Sequence, residues 1–351
     1  MEKRVSNALN YLLWLSVAAV LLFFCFREID WSAFWEGLKS CRWEFIAMSM
    51  GFGALSFWFR GMRWRELITP IDPYTKKITV FNAVNISYLV NMVLPRVGEF
   101  VRCGFITRHS SRDSEGKLRA SYDKVLGTVV MERAWDILMV LILVIGFMTV
   151  GMKRYGGFFI DGIVKPISAK LNTSAVLVIA VMAAVIAILV WLAVHFRNRS
   201  RFMERLAGFF DGMWQGLSSC LHMKSGWKFI VYTLLVWMCY WMMSAGIVWA
   251  VQGIDVNSVG EDLRSAVTNV AGLDMVDALF LMMAGSLSSL IPVPGGFGAF
   301  HWVVATSLLT MFGVPWPVGI LFATLSHESQ IIVQAVCGGL SYIGELFRKR
   351  S

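Results

Sequence analysis

Long apolar runs alternate along this chain with short basic loops. Tyr11–Phe26, Ile137–Val150, Ala175–His195 and Phe229–Val251 carry almost no charge. Several approach the roughly 20 residues with which a helix spans a bilayer. The pattern predicts spans near Tyr11–Phe26, Phe45–Phe59, Val125–Val150, Thr173–His195, Lys228–Val251 and Val318–Ile343. Two stretches interrupt it: Asn91-Met-Val-Leu-Pro95-Arg96-Val-Gly98-Glu99-Phe-Val-Arg102 and Pro292-Val-Pro294-Gly295-Gly296-Phe-Gly298-Ala-Phe-His301. Each puts Pro, Gly and polar side chains inside an apolar segment. Irregular backbone survives at membrane depth only where protein or a wet cavity satisfies it. Ionisable groups there mark function by default.

Charge bias turns these interruptions into topology, because basic loops stay cytoplasmic. Lys3 and Arg4 place the N-terminus inside, and Arg60, Arg63, Arg65, Lys76 and Lys77 follow the second span. A full crossing at Ile78–Leu94 leaves Arg96, Arg102, Arg108, Arg112, Lys117, Arg119 and Lys124 outside, against the bias. Residues 78–107 are therefore expected as a re-entrant hairpin, broken at Pro95 and open to the cytoplasm. The loop Phe196–Trp227 is basic and inside; Gln252–Asp277 is acidic and outside. The basic end Arg348-Lys-Arg350 is inside, so residues 278–311 must begin and end outside as a second hairpin, broken at Pro292–Gly298. The expected fold is an all-α integral membrane protein, a polytopic helical bundle of about six full spans plus two re-entrant broken-helix hairpins. One hairpin enters from each side, as in an inverted repeat. The halves are about 1–150 and 173–345 of a single transmembrane domain, 1–351. The rival is about eight to ten simple spans.

Composition agrees. Of 351 residues, 57% are hydrophobic and 16% charged, which excludes a soluble globular domain. A net charge of +9 raises nucleic acid as a partner, but the basic residues flank spans and set orientation. They can also draw anionic lipid head groups. Six cysteines with no CxxC and no metal spacing read as small buried hydrophobes. The N-terminus looks like a signal peptide without a small-residue cleavage site, hence an uncleaved first span in the plasma or inner membrane.

Arg96, Glu99 and Arg102 recur at steps of three, sharing one face of a helix that starts after Pro95. Two guanidiniums at a helix start suit a phosphate; the plainer alternative is a basic stripe that fixes topology. Glu132 and Asp136 lie one turn apart beside Arg133, with the hairpin arginines as partners or as a simple structural ion pair. Pro292–Gly298 offers backbone that something can approach closely, or a kinked, tightly packed helix. It lacks the GK[ST] of a P-loop. His301 and His327 flank this break in apolar helices, as packing residues or a titratable pair. Ser326, Glu328 and Gln330 make the turn around His327 polar enough to face a cavity. Gly51, Gly53, Gly338 and Gly339 suit close helix packing. No nucleophile, catalytic residue, cofactor or metal motif is expected.

Three motifs, in order, resemble the transmembrane domain of the lysylphosphatidylglycerol synthase/flippase family. They are Asn91-x3-Pro95-x2-Gly98-Glu99-x2-Arg102, Glu132-Arg133-x2-Asp136, and Pro292-x-Pro294-Gly295-Gly296-x-Gly298. The resemblance implies a flippase-like translocase of an anionic phospholipid or a polyprenyl-phosphate-linked lipid. These residues, with Arg96, His301 and His327, would form its binding set. Some relatives carry a soluble aminoacyl-transferase domain; here the sequence ends at Ser351, so lysyl-lipid synthesis is not expected. The family often has Glu at the position of His301 and Arg at that of His327. Both changing together suggests side chains that face each other or share a ligand. The alternatives are a membrane-embedded glycosyl or lipid transferase and a non-transporting partner of a lipid- or glycan-modifying enzyme. The expected partners are a membrane lipid with an anionic head group, a second copy or such an enzyme, and not nucleic acid.

Overall fold

A computed structural model of the chain describes residues 15–94, 96–157, 160, 201–218, 221, 223–254, 269–288, 291 and 293–348. The predicted span 173–195, the charges Lys3, Arg4, Lys349 and Arg350, and the prolines Pro95 and Pro292 lie outside the described residues. The protein is all-helical. Among the described residues there is no strand, only an isolated bridge between Arg112 and Leu118. The helices are α1 Leu15–Phe26, α2 Trp31–Ser40, α3 Trp43–Ile68, α4 Lys77–Val93, α5 Gly98–Arg108, α6 Tyr122–Gly157, α7 Arg201–Leu217, α8 Gly226–Val251, α9 Met275–Leu287, α10 Ala299–Phe312 and α11 Trp316–Arg348. A 3₁₀ turn, Pro294–Gly296, precedes α10. Among the described residues three segments are long and apolar enough to cross a membrane: Gly226–Val251, Pro294–Phe312 and Trp316–Arg348.

The chain forms two compact units: Met1–Glu66, Thr75–His109 and Ser225–Ser351; and Leu67–Tyr74 with Ser110–Lys224. In the first unit α3 and α8 run antiparallel. Gly246 packs on the Phe45 carbonyl, Ser49 donates to the Met243 carbonyl (3.0 Å), and Arg63 stacks over Phe229 (5.9 Å). Gly53 fits against Gln330 of α11, and Gly338 against Leu89 and the Asn85 carbonyl of α4. Gly51 and Gly339 have open space instead, so only one glycine of each expected pair serves packing. The loop after α1 contains the short helix α2, capped by Asp30, with Trp31 and Trp35 exposed. That exposure suits an interfacial segment. Cys25, Cys41, Cys103 and Cys239 are buried and Cys337 half-buried, as small core residues.

Helix α11 measures out both hairpins. Its 33 residues extend about 50 Å. At its C-terminal end Arg348 reaches Thr79 (3.3 Å), near the start of α4, and Glu345 meets His109 (2.6 Å), just past the end of α5. Both ends of 78–107 therefore lie at one level, and the segment is a hairpin. At the N-terminal end of α11, Phe280 of α9 packs on Phe312 of α10 (5.9 Å), and Trp316 donates to the Cys25 carbonyl (3.1 Å). The second hairpin opens there, at the opposite end of α11. The arms α4, α9 and α10 have 17, 13 and 14 residues. These are about 25, 20 and 21 Å, each short of the roughly 30 Å hydrocarbon core.

In the second unit α6 packs on α7. Gly127 lies against the Met213 carbonyl and Gly216 against that of Lys124, so a side chain at either would force the pair apart. The basic stretch read as the loop Phe196–Trp227 thus contains an amphipathic helix, α7. A single apolar stripe of this kind is too narrow to predict a span, so hydropathy gives no sign of α7. In the α3–α4 connection Asp72 is 1% exposed and ties down residues 110–111. It accepts from Ser111 Oγ (2.7 Å), Ser111 N (2.9 Å), Ser110 Oγ (3.1 Å) and Tyr74 N (3.2 Å). Burial pushes the carboxyl up, but the bonds from Ser111, Tyr74 and Ser110 outweigh it and hold its pKa below the ordinary aspartate value. A depressed carboxyl stabilises above its unfolded pKa and loses that contribution as pH falls through the folded value. Proteolysis after Arg112 or Lys117 is therefore expected to quicken below about pH 4, and in Asp72→Asn at neutral pH. Equal cleavage of the variant and the parent at pH 7 would refute the tie.

Candidate functional site

The first break is closed by one side chain. Asn91 Oδ1 accepts from Gly98 N (2.7 Å) and its Nδ2 donates to Glu99 (3.3 Å), stapling the start of α5 to the end of α4. Gly98 presses on the Ser87 carbonyl, where no Cβ fits. Arg96 adopts φ 64°, in the left-handed region, unlike every other non-glycine among the described residues. The helix begins at Gly98, not directly after Pro95, so Arg96 belongs to the turn and does not share the face of Glu99 and Arg102. Arg96 is exposed, whereas Arg102 is 2% exposed with its guanidinium 4.5 Å over the buried Trp64 ring. The expected clamp of two arginines on a helix start is thus split between a surface turn and an aromatic interior. The Gly98 N–H at the start of that helix is already taken by Asn91.

The second break uses positive φ at Gly295 (59°), Gly296 (79°) and Gly298 (78°). A Cβ on Gly298 would meet Leu21 Cβ at 2.7 Å and the Leu22 N at 3.0 Å, so α1 lies directly on the break. Pro294 is buried. His327, on α11, meets the Gly295 carbonyl (Nε2···O 2.9 Å), and its ring sits between Phe297 (5.1 Å) and Phe300 (5.2 Å). His301, the third residue of α10, is 1% exposed. The two imidazoles do meet, with centroids 5.2 Å apart. Glu328 joins them: its Oε1 is 3.1 Å from His327 Nδ1 and 3.7 Å from His301 Nε2. Only the polarity around His327 signalled that carboxylate in the sequence.

The two tips touch. A Cβ on Gly295 would lie 3.5 Å from the Met92 carbonyl, at the end of α4. Beside them is a cavity of about 270 Å³ among α8, α9, α10 and α11. Its polar lining includes Tyr240, Ser244, Ser286, His327, Gln330 and Gln334. The Tyr240 hydroxyl accepts from Arg60 Nη1 (2.8 Å), and Arg60, 8% exposed, also lies over Tyr88 (5.3 Å). Neither Arg60 nor Tyr240 stood out in the sequence, where Arg60 reads as a topology charge and Tyr240 as one aromatic among many. Glu132, Arg133 and Asp136 sit on α6 in the second unit, with Glu132 fully buried and Arg133 3.5 Å from Asp136.

The family described as the lysylphosphatidylglycerol synthase TM region matches residues 11–338, nearly the whole chain. This chain belongs to that family. As a member of the lysylphosphatidylglycerol synthase transmembrane family it is a membrane protein, and a flippase-like role in lipid handling fits it. No curated protein and no solved structure matches it. In this family member Asn91, Gly98 and Glu99 of the first motif meet at one hairpin tip, and Pro294–Gly298 of the Pro-Gly-rich motif lie at the other.

Proposed function

We propose that this protein moves an anionic lipid head group, of a phospholipid or a polyprenyl-phosphate-linked lipid, between membrane leaflets. The observation that carries the reading is the junction of two opposed hairpin tips beside a polar-lined cavity. A head group crossing there trades water for fixed hydroxyl and amide groups while its tails remain in lipid. Tyr240 accepts from Arg60, so the phenol proton is left to donate to a phosphate oxygen. Gln330 Nε2 is buried with no hydrogen-bond partner in the protein and supplies a second donor. Arg96, exposed in the turn of the first tip, offers positive charge at the junction.

The test is reconstitution in liposomes with a fluorophore-labelled phosphatidylglycerol and a membrane-impermeant quencher. The protein is expected to expose the inner-leaflet label. Tyr240→Phe is expected to slow exchange about tenfold, the weight of one hydrogen bond of about 1.4 kcal/mol. Exchange no faster than in protein-free liposomes overturns transport, and an unchanged Tyr240→Phe rate removes the cavity from the path.

A further inference from the structure

We propose that His301, His327 and Glu328 bind a divalent transition-metal ion of the zinc class where the two hairpin tips meet. The three side chains come from α10 and α11, and one ligand atom of each lies within 4.8 Å of the other two. A tetrahedral ion about 2.0–2.1 Å from its ligands sets them about 3.3 Å apart. Two of the three edges are 3.1 and 3.7 Å, so a small inward movement closes the site.

Hydrogen bonding identifies the ligand atoms. The Gly295 carbonyl can only accept, so His327 Nε2, at 2.9 Å, carries the proton. That leaves a lone pair on Nδ1, facing a carboxylate oxygen 3.1 Å away. Two acceptors at this distance need a cation between them. A backbone carbonyl on the distal nitrogen is also the arrangement that orients metal-bound histidines. A proton on Nδ1 satisfies one edge only and gives no account of His301, whose Nε2 faces the same oxygen at 3.7 Å, beyond hydrogen-bond reach. His301 is 1% exposed and its Nδ1 has no partner, so this imidazole is buried without a hydrogen bond of its own. A metal ion engages the Nε2 lone pair of His301, the Nδ1 lone pair of His327 and the Glu328 oxygen together, and only the His301 Nδ1–H is left without a partner.

Two imidazoles and one carboxylate favour zinc and its transition-metal neighbours over magnesium or calcium, which prefer oxygen cages. Three protein ligands leave a fourth position open, as in zinc sites that bind water or substrate. The Glu328 side chain is 38% exposed, which gives an ion and a fourth ligand a way in.

The full chain, purified without a polyhistidine tag and stripped by chelator, is dialysed against zinc chloride or magnesium chloride and analysed for bound metal. About one equivalent of zinc and no retained magnesium is expected. Cobalt(II) should give the visible absorption of a low-symmetry site. His301→Asn and Glu328→Gln should each weaken zinc binding at least tenfold, while His109→Asn leaves it unchanged. Normal gel-filtration profiles show that the variants are folded. No zinc retention by the parent, or equal retention by the parent and both site variants, overturns the proposal. Metal retention is read without transport, so a zinc-binding protein that moves no lipid leaves the site standing and removes the translocase reading instead.

Discussion

Replacing Gly98 or Gly298 with alanine is expected to cost most of the yield of folded protein. At Gly98 the new Cβ would strike the Ser87 carbonyl and approach Asn91 Oδ1 to 2.7 Å. It would thus push against both the backbone of α4 and the side chain that closes the hairpin. At Gly298 two costs combine. The φ of 78° is unfavourable to any residue with a Cβ by about 1–2 kcal/mol. Contacts of 2.7 Å to Leu21 Cβ and 3.1 Å to the Ala18 carbonyl add overpacking of about 1–3 kcal/mol. Native proteins are stable by only about 5–15 kcal/mol, so either change removes a large share. The controls are Gly51→Ala and Gly339→Ala, at helical sites with nothing within 4 Å of the new Cβ. Alanine there should be neutral or stabilising by up to about 1 kcal/mol. Heating in detergent followed by gel filtration ranks the four variants. If Gly98→Ala survives heating as well as Gly339→Ala, the tight tip is wrong.

The same glycines show what the sequence could and could not carry. Hydropathy located the runs that became α1, α3, α6, α8 and α11, because an apolar stretch of span length has few other outcomes. Charge bias pointed to both hairpins, because seven basic residues after Leu94 disfavour a full crossing there. The site was legible less evenly. Pro, Gly and Asn91 marked the tips, since these residue types serve broken backbone. Spacing failed for Arg96, Glu99 and Arg102: the three-residue step assumes a helix that in fact begins at Gly98. Spacing is also blind to partners distant in sequence. Arg60 and Tyr240 are 180 residues apart, and nothing local announces the bond. His301 and His327 were recognisable as polar intrusions, but Glu328 completes them only because α10 and α11 fold antiparallel from the turn at Gly313.

A cysteine at Lys76 and a cysteine at Glu28 are expected to label from opposite faces of the membrane, without overlap. Both positions are exposed. Lys76 precedes α4, whose first turn meets the Arg348 end of α11 through Thr79. Glu28 follows α1, whose Cys25 carbonyl accepts from Trp316 at the other end of α11. Some 50 Å of helix separates those ends, more than the thickness of a hydrocarbon core of about 30 Å. The parent gives a low background, because its described cysteines are buried or half-buried. In sealed right-side-out vesicles an impermeant maleimide should modify Glu28→Cys within minutes and Lys76→Cys only after permeabilisation, with the order reversed in inverted vesicles. Arg108→Cys, at the end of the return arm α5, should behave as Lys76→Cys does. This comparison separates a hairpin from a crossing. A simple span through residues 78–94 would put Arg108 on the face of Glu28, and labelling of Arg108→Cys from that face would refute the re-entrant arrangement and the junction of tips built on it.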